Sequence, residues 1–93
     1  MKFEWDENKY AINLKKHKVA FDDVINVFFD DCRLVEYDSF YSIFEERYII
    51  IGKEKITGHI IFVSYCIRGE RIRIISARYA TGRERRRYYD SYL

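Results

Sequence analysis

The sequence of 93 residues contains no proline and only four glycines. Flexible linkers and low-complexity tracts are rich in these residues, so none is expected, and the chain is predicted to form a single domain over residues 1–93. The longest uninterrupted apolar run has four residues, whereas a membrane-spanning helix needs about 20. The chain shows no charged-then-apolar leader, so a cytoplasmic location is the default expectation.

Signatures of metal binding are also missing. The chain has two cysteines, Cys32 and Cys66, and two histidines, His17 and His59. The cysteines form no CxxC pair, and the four residues lack the spacing of zinc ligands. Both cysteines lie in apolar surroundings, which predicts two buried free thiols. Neither a metal nor another cofactor is predicted.

What the chain does have is apolar and aromatic material. Hydrophobic residues make up 48% of the sequence and aromatic residues 18%, which predicts a packed core and argues against disorder. A domain of this size buries only about 60% of the surface of its unfolded chain, so a partner that adds buried surface would stabilise it.

The net charge of +2 hides an asymmetry between the two halves. Residues 1–46 carry six Lys/Arg and eleven Asp/Glu, a balance of −5, whereas residues 47–93 carry eleven and four, a balance of +7. Such an asymmetry points to an anionic partner for the basic half, most simply a nucleic acid. The alternative is that the two halves pack together and neutralise each other.

The positive charge is concentrated near the end of the chain. The segment from Arg71 to Tyr88 begins with alternating charged and apolar residues, which predicts a strand. Thr81 and Glu84 have the spacing of a capping box, which predicts the start of a helix. Arginine offers a planar fork of donors that fits phosphate oxygens. The segment contains seven of them: Arg71, Arg73, Arg78, Arg83, Arg85, Arg86 and Arg87.

The rest of the pattern predicts an α+β fold. The predicted elements are a strand at Lys2–Trp5, helices at Glu7–Lys16 and Asp22–Phe29, strands at Arg33–Asp38, Glu46–Gly52, Ile60–Ile67 and Arg71–Arg78, and the terminal helix. Short connections indicate an antiparallel meander, so the expected architecture is an antiparallel four- to five-stranded sheet with two N-terminal helices and one C-terminal helix. Its middle strands are apolar on both faces, so both faces are expected to be covered, the second by the C-terminal helix or by a partner chain.

The order of short motifs resembles one known family. The motifs are Phe3–Asp6, Asn13, Lys16-His17, Phe21, Phe28, Asp30, Glu45–Arg47, Ile51-Gly52, Ile74–Arg78, Ala80-Thr81, Glu84-Arg85 and Tyr88. In this order and spacing they resemble the BrnT family of small bacterial toxins over nearly the whole chain. The family usually has glycine and serine where this chain has Lys18 and Ala20, as a helix C-cap and an N-cap.

The resemblance implies a toxin of a type II toxin–antitoxin system with a RelE-like ribonuclease fold. It implies RNA cleavage that needs no metal and halts translation. It also implies a DNA-binding antitoxin of the BrnA kind, with which the toxin represses its own promoter by binding operator DNA. A homodimer and a heterotetramer with the antitoxin are the assemblies left open.

Metal-independent RNA cleavage needs a base, a cation beside the phosphorane and an acid. His17 is a candidate for proton transfer, and its alternative is a histidine at the edge of the core. Arg78, chiefly through the resemblance, is expected to face the phosphate. Glu46 is a candidate base or a solvated acid, Arg47 a catalytic or a paired cation, and Tyr88 a catalytic or a packing residue.

Two alternatives for this assignment stay open. Arg78 could instead be paired structurally with Glu45 or Glu46. The chain could also be a non-catalytic nucleic-acid-binding or interaction module, since the basic segment suits both functions. The predicted RNA-binding residues are Lys16, Arg73, Arg83, Arg85 and Arg86. The charge run that contains Arg83, Arg85 and Arg86 would ordinarily be a solvated face, and it could also bind an acidic antitoxin segment.

Overall fold

A computed structural model describes residues 1–92 and confirms the α+β class. The strands are β1 (Lys2–Trp5), β2 (Leu34–Tyr37), β3 (Arg47–Lys53), β4 (Ile60–Arg68) and β5 (Arg71–Tyr79), and the helices are α1 (Glu7–His17), a 3₁₀ helix (Phe21–Phe29) and α2 (Gly82–Asp90). The second predicted helix is therefore a 3₁₀ helix. None of the helices in the described range is long and apolar enough to cross a membrane.

The sheet has the strand order β1-β5-β4-β3-β2. Strands β2 to β5 form the predicted antiparallel meander, and Gly69 adopts a φ of 61° in the two-residue turn between β4 and β5. The prediction of a purely antiparallel sheet is wrong, because β1 pairs in parallel with β5, from Lys2 beside Arg71 to Trp5 beside Ile74. No turn joins these two strands, so no hairpin dictates their relative direction.

Helix α1 and the 3₁₀ helix pack on one face of the sheet. Phe21 and Val27 of the 3₁₀ helix are fully buried, and Val24 is 1% exposed. They belong to the main core cluster, which consists of Val19, Phe21, Val24, Val27, Ile50, Ile61, Val63, Tyr65, Ile72, Ile74 and Ala77. Burial of this apolar surface is the main favourable contribution to folding.

Helix α2 covers one end of the opposite face. Tyr88 of α2 is 2% exposed and packs with Ile51 and Ile60 in a second core cluster. Its hydroxyl donates to the Asp30 carboxylate at 2.5 Å. The expectation that both faces are covered is thus confirmed at this end, where the cover is α2.

A β-bulge interrupts the pairing of β4 with β5. Tyr65 lies opposite Ile74, but Ser64 lies opposite Ser76, so Ile75 is the extra residue. A bulge of one residue shifts the alternation of side chains in the rest of the strand to the other phase.

The bulge decides where Arg78 points. Ile74 before it and Ala77 after it both pack in the main core. Arg73 and Arg78 therefore share the opposite face, which we call the arginine face. In a regular strand, Arg78 would share the core face with Ile74, because the two are four residues apart.

Asn13 of α1 completes the edge of β5. The pairing of β1 with β5 ends at Ile74. Beyond that point, the Asn13 carboxamide accepts from the Ala77 N–H at 3.0 Å and donates to the Ala77 carbonyl at 2.9 Å. The same NH₂ group donates to the Val19 carbonyl at 3.1 Å. A single buried side chain thus supplies the bonds that a neighbouring strand would make.

Lys18 forms the C-cap of α1 in the left-handed conformation, with a φ of 61°. A residue with a Cβ atom is disfavoured in this conformation by about 1–2 kcal/mol, which explains why glycine suits the position. The Lys18 N–H still donates to the Leu14 carbonyl at 3.0 Å, so the helix ends at His17 as in a glycine-capped helix.

We expect Asn13→Ala to lower the free energy of unfolding by about 3 kcal/mol, because it leaves buried backbone groups of Ala77 and Val19 without partners. Urea denaturation measures the change. Asn8→Ala, at an exposed position of the same helix, is the matched control and should change stability by less than about 0.5 kcal/mol. Equal effects of the two substitutions would contradict this assignment.

Candidate functional site

The guanidinium of Arg78 is held on two sides. Its Nη1 and Nη2 donate to Glu84 Oε1 and Oε2 at 2.8 and 3.0 Å. The group also lies over the Phe62 ring, 3.9 Å from its centroid. The alternative that Arg78 pairs with Glu45 or Glu46 is wrong, because its carboxylate partner is Glu84, at the start of α2.

These contacts leave one edge of the guanidinium available. A guanidinium has five N–H donors. Glu84 takes one from each Nη atom, and the Tyr79 carbonyl accepts from Nη1 at 3.3 Å. The Nε–H and the second Nη2–H lie side by side on the remaining edge, and no acceptor within residues 1–92 engages Nε. Two parallel donors of this kind match two oxygens of one phosphate.

Glu84 caps helix α2 and also pairs with Arg78. One of its oxygens accepts from the Thr81 N–H at 2.9 Å, and the Thr81 hydroxyl accepts from the Glu84 N–H at 3.2 Å, which confirms the predicted capping box. Burial opposes ionisation of Glu84, but the hydrogen bonds from Arg78 and Thr81 outweigh it and lower the pKa below 4.5. The carboxylate therefore stays charged at neutral pH and fixes Arg78 relative to α2.

His17 and Lys16 lie at the end of α1, across the edge of β5. Together with Ile75 and Ser76 they line a shallow cavity. Burial, followed by the positive charges of Lys16 and Arg78, lowers the pKa of His17 below its usual 6.5. His17 is therefore mainly neutral at pH 7, the form that can accept a proton.

Arg47, Glu46 and Arg73 lie away from this group. Arg47 and Arg73 flank Cys66 of β4 on the arginine face. Arg78 lies beside Phe62 of the same strand, and the four residues from Phe62 to Cys66 span about 13 Å. Arg73 donates to Glu4 at 2.6 Å. Glu46 is exposed just before β3. The sequence-predicted site thus divides into two regions.

Tyr88 lies in the second core cluster rather than beside a phosphate site. Its burial and its hydrogen bond to Asp30 raise the pKa of its hydroxyl above the usual 10. Asp30 also accepts from the Cys32 and Lys53 N–H groups. Tyr88 therefore joins α2 to the end of the 3₁₀ helix, and this placement favours packing over catalysis.

The arginines of α2 extend the positive surface. Arg83, Arg85 and Arg86 are exposed, and Arg85 donates to the Ala80 carbonyl at 2.9 Å. Within the described range, four of five ion pairs join the acidic half to the basic half: Glu45 with Arg68, Glu4 with Arg71 and Arg73, and Glu36 with Arg87. The halves therefore neutralise each other in part, but no such pair in this range involves Arg83, Arg85 or Arg86.

Sequence reasoning missed three residues of the site. Glu84 carried a signal as a capping residue but none as the partner of Arg78. Asn13 appeared only among the motifs of the family resemblance, and Phe62 carried no signal, since the contacts of both residues join distant segments. Cys66 is buried and Cys32 half-buried, both as free thiols. Residues 1–92 contain no group of three or more His, Cys, Asp or Glu placed to hold a metal ion.

The fold and the site define a class: a small α+β protein with a cationic surface suited to the phosphates of a nucleic acid. A family model described as the ribonuclease toxin BrnT of type II toxin–antitoxin systems matches residues 5–84. The chain therefore belongs to the BrnT family of ribonuclease toxins, and membership implies an antitoxin partner. No curated protein matches the chain.

If His17 is the general base of RNA cleavage, the rate should fall as the pH is lowered through an apparent pKa below 6.5, because protonation removes the base. At pH 7 and above, the rate should no longer change with the protonation of His17. We expect His17→Ala to abolish the limb and Glu46→Gln to leave it in place, in single-turnover rates measured from pH 4.5 to 8. A limb that survives His17→Ala but shifts in Glu46→Gln would reassign the base.

Proposed function

We propose that this protein is an endoribonuclease toxin with a RelE-like fold that cleaves RNA without a metal ion and inhibits translation in the cytoplasm. A BrnA-like antitoxin would neutralise it, and the complex would bind operator DNA and repress its own promoter. One observation carries the proposed chemistry: Arg78 is fixed by Glu84 and Phe62 with a donor edge available. Family membership supports the ribonuclease activity.

In the proposed reaction, neutral His17 accepts the proton of a ribose 2′-OH. The 2′ oxygen then attacks the adjacent phosphorus, and the bond from phosphorus to the 5′ oxygen breaks. The leaving oxygen takes a proton from water, and the imidazolium of His17 returns its proton to the hydroxide that this leaves. The products are a 2′,3′-cyclic phosphate and a 5′-hydroxyl end, so atoms and charge balance without an added reactant.

Arg78 would act on the charge that develops during this attack. The pentavalent phosphorane carries more negative charge on its oxygens than the substrate does. Donors that are already oriented bind it more tightly than the substrate, and this difference lowers the barrier. Glu84 would be a positioning residue in this scheme, since it holds Arg78 without facing the phosphate.

The exposed cations suit the rest of the RNA strand. Lys16 lies beside His17, and the α2 residues Arg83, Arg85 and Arg86 continue the positive surface. Contacts of this kind follow the backbone and carry no sequence information. We assign no role in the reaction to the more distant region of Arg47, Glu46 and Arg73.

An exposed apolar segment supports association with another chain. Phe40, Ile43 and Phe44, between β2 and β3, are 78%, 76% and 100% exposed. Clustered apolar side chains on a surface mark interaction sites. We propose that the antitoxin covers apolar surface as well as the basic segment, in a heterotetramer or around a toxin homodimer.

We expect Arg78→Lys to reduce the cleavage rate about 10²-fold, or about 3 kcal/mol, because lysine keeps the charge but lacks the parallel donors. Arg86→Lys, the same substitution at an exposed α2 position, should change the rate by less than about threefold. Single-turnover cleavage and melting temperatures of both variants provide the test. Wild-type cleavage by Arg78→Lys, or a loss explained by unfolding, would make Arg78 a structural residue.

We expect cleavage to proceed in the presence of EDTA and to yield 2′,3′-cyclic phosphate ends, because the 2′-OH is the nucleophile and His17 and Arg78 supply the base and the cation. The ends are identified by mass spectrometry of the fragments. Activity that disappears in EDTA and returns with magnesium would contradict the metal-independent mechanism.

A further inference from the structure

A cavity of about 220 Å³ lies at the same end of the sheet as Arg78 but on the opposite face. Its inner wall is apolar and is formed by the buried side chains of Val19, Val24 and Ile61. Three charged residues also line it: Lys18, Asp23 and Glu54, whose buried carboxylate accepts from the Ile56 and Thr57 N–H groups. Ligand sites commonly combine an apolar wall with a few polar groups in this way.

An aromatic pair flanks the cavity. His59 and Tyr79 pack edge to face, with ring centroids 5.0 Å apart and an angle of 80° between the planes. Both line the cavity and are exposed, Tyr79 by 48%. Exposed aromatic rings of this kind are the surfaces on which unpaired RNA bases stack.

The residues that follow His17 and Arg78 in the sequence line the cavity. Lys18 directly follows His17, and Tyr79 directly follows Arg78. Successive side chains of a strand point to opposite faces, so Arg78 lies on the arginine face while Tyr79 lines the cavity. The residue after the proposed base and the residue after the proposed phosphate ligand, Lys18 and Tyr79, thus both line the cavity.

We propose that this cavity binds one nucleobase of the RNA substrate, at the same end of the sheet as the phosphate held by Arg78 but on the other face. The proposal rests on the proposed function. The cavity is smaller than the roughly 300–1,000 Å³ of sites for drug-sized ligands, which suits a single planar heterocycle. The Asp23 and Glu54 carboxylates disfavour a bare phosphate, whereas a base can both accept from Lys18 and donate to Asp23. The cavity would therefore set a base preference at one position beside the cut.

The test uses RNA of randomised sequence, so no substrate has to be known. Wild-type protein and variants cleave the pool, and sequencing of the fragments gives the base frequencies around each cut. We expect Tyr79→Ala and His59→Ala to remove the preference at one position and to weaken RNA binding about tenfold. Tyr79→Phe keeps the ring and should retain both.

Tyr41→Ala is the matched control, because Tyr41 is also an exposed tyrosine in an edge-to-face pair, with Phe40, at the other end of the sheet. It should change neither readout, and melting temperatures report on folding. An unchanged preference in folded Tyr79→Ala and His59→Ala would overturn the proposal. The proposal would also be overturned if these variants changed neutralisation by the antitoxin but neither the base preference nor RNA binding.

The experiment distinguishes failure of the cavity proposal from failure of the proposed function. If the wild-type protein does not cleave the pool, the proposed function is wrong. The cavity is then judged by the affinity for a 2′-O-methyl RNA pool, which cannot be cleaved at the 2′ oxygen. Equal affinities of the wild type and Tyr79→Ala would overturn the cavity proposal in that case as well.

Discussion

The site depends on the pair of hydrogen bonds between Asn13 and the backbone of Ala77. Where β1 ends, this carboxamide takes over the edge of β5 and fixes α1 against it. His17 lies one turn further along α1, and Arg78 is the next residue of β5. One buried side chain therefore sets the distance between the proposed base and the proposed phosphate ligand. A surface contact could not do this, because side chains exchange partners with water at little cost in free energy.

The bulge at Ile75 provides the second constraint. It lets one strand present apolar residues to the core at both ends while Arg73 and Arg78 share the other face. It also places Arg78 next to α2, where the capping carboxylate of Glu84 meets it. The bulge thus brings the guanidinium of Arg78 to the start of α2, so the course of the backbone determines the geometry of the site.

The parts of this arrangement that rest on local contacts could be predicted from the sequence. Thr81 and Glu84 are three residues apart, so their capping box is visible in the pattern, as is the turn at Gly69. The sequence did not predict Glu84 as the partner of Arg78, and the alternative of Glu45 or Glu46 is wrong, because an ion pair depends on which segments the fold brings together. The parallel pairing of β1 and the role of Asn13 could not be predicted for the same reason. The bulge was not predictable because alternation in the sequence does not show where a strand gains a residue.

In the proposed mechanism, His17 and Arg78 bind the same region of an RNA strand. The most direct test is a nuclear magnetic resonance titration with a short 2′-O-methyl RNA, which blocks the nucleophile and leaves the complex intact. We expect the Arg78 Nε–H and the His17 imidazole resonances to shift together at the same RNA concentrations, with smaller changes at Arg47. If the Arg78 Nε–H resonance stays unchanged while the resonances of Arg83 and Arg86 shift, RNA binds elsewhere and the proposed mechanism is wrong.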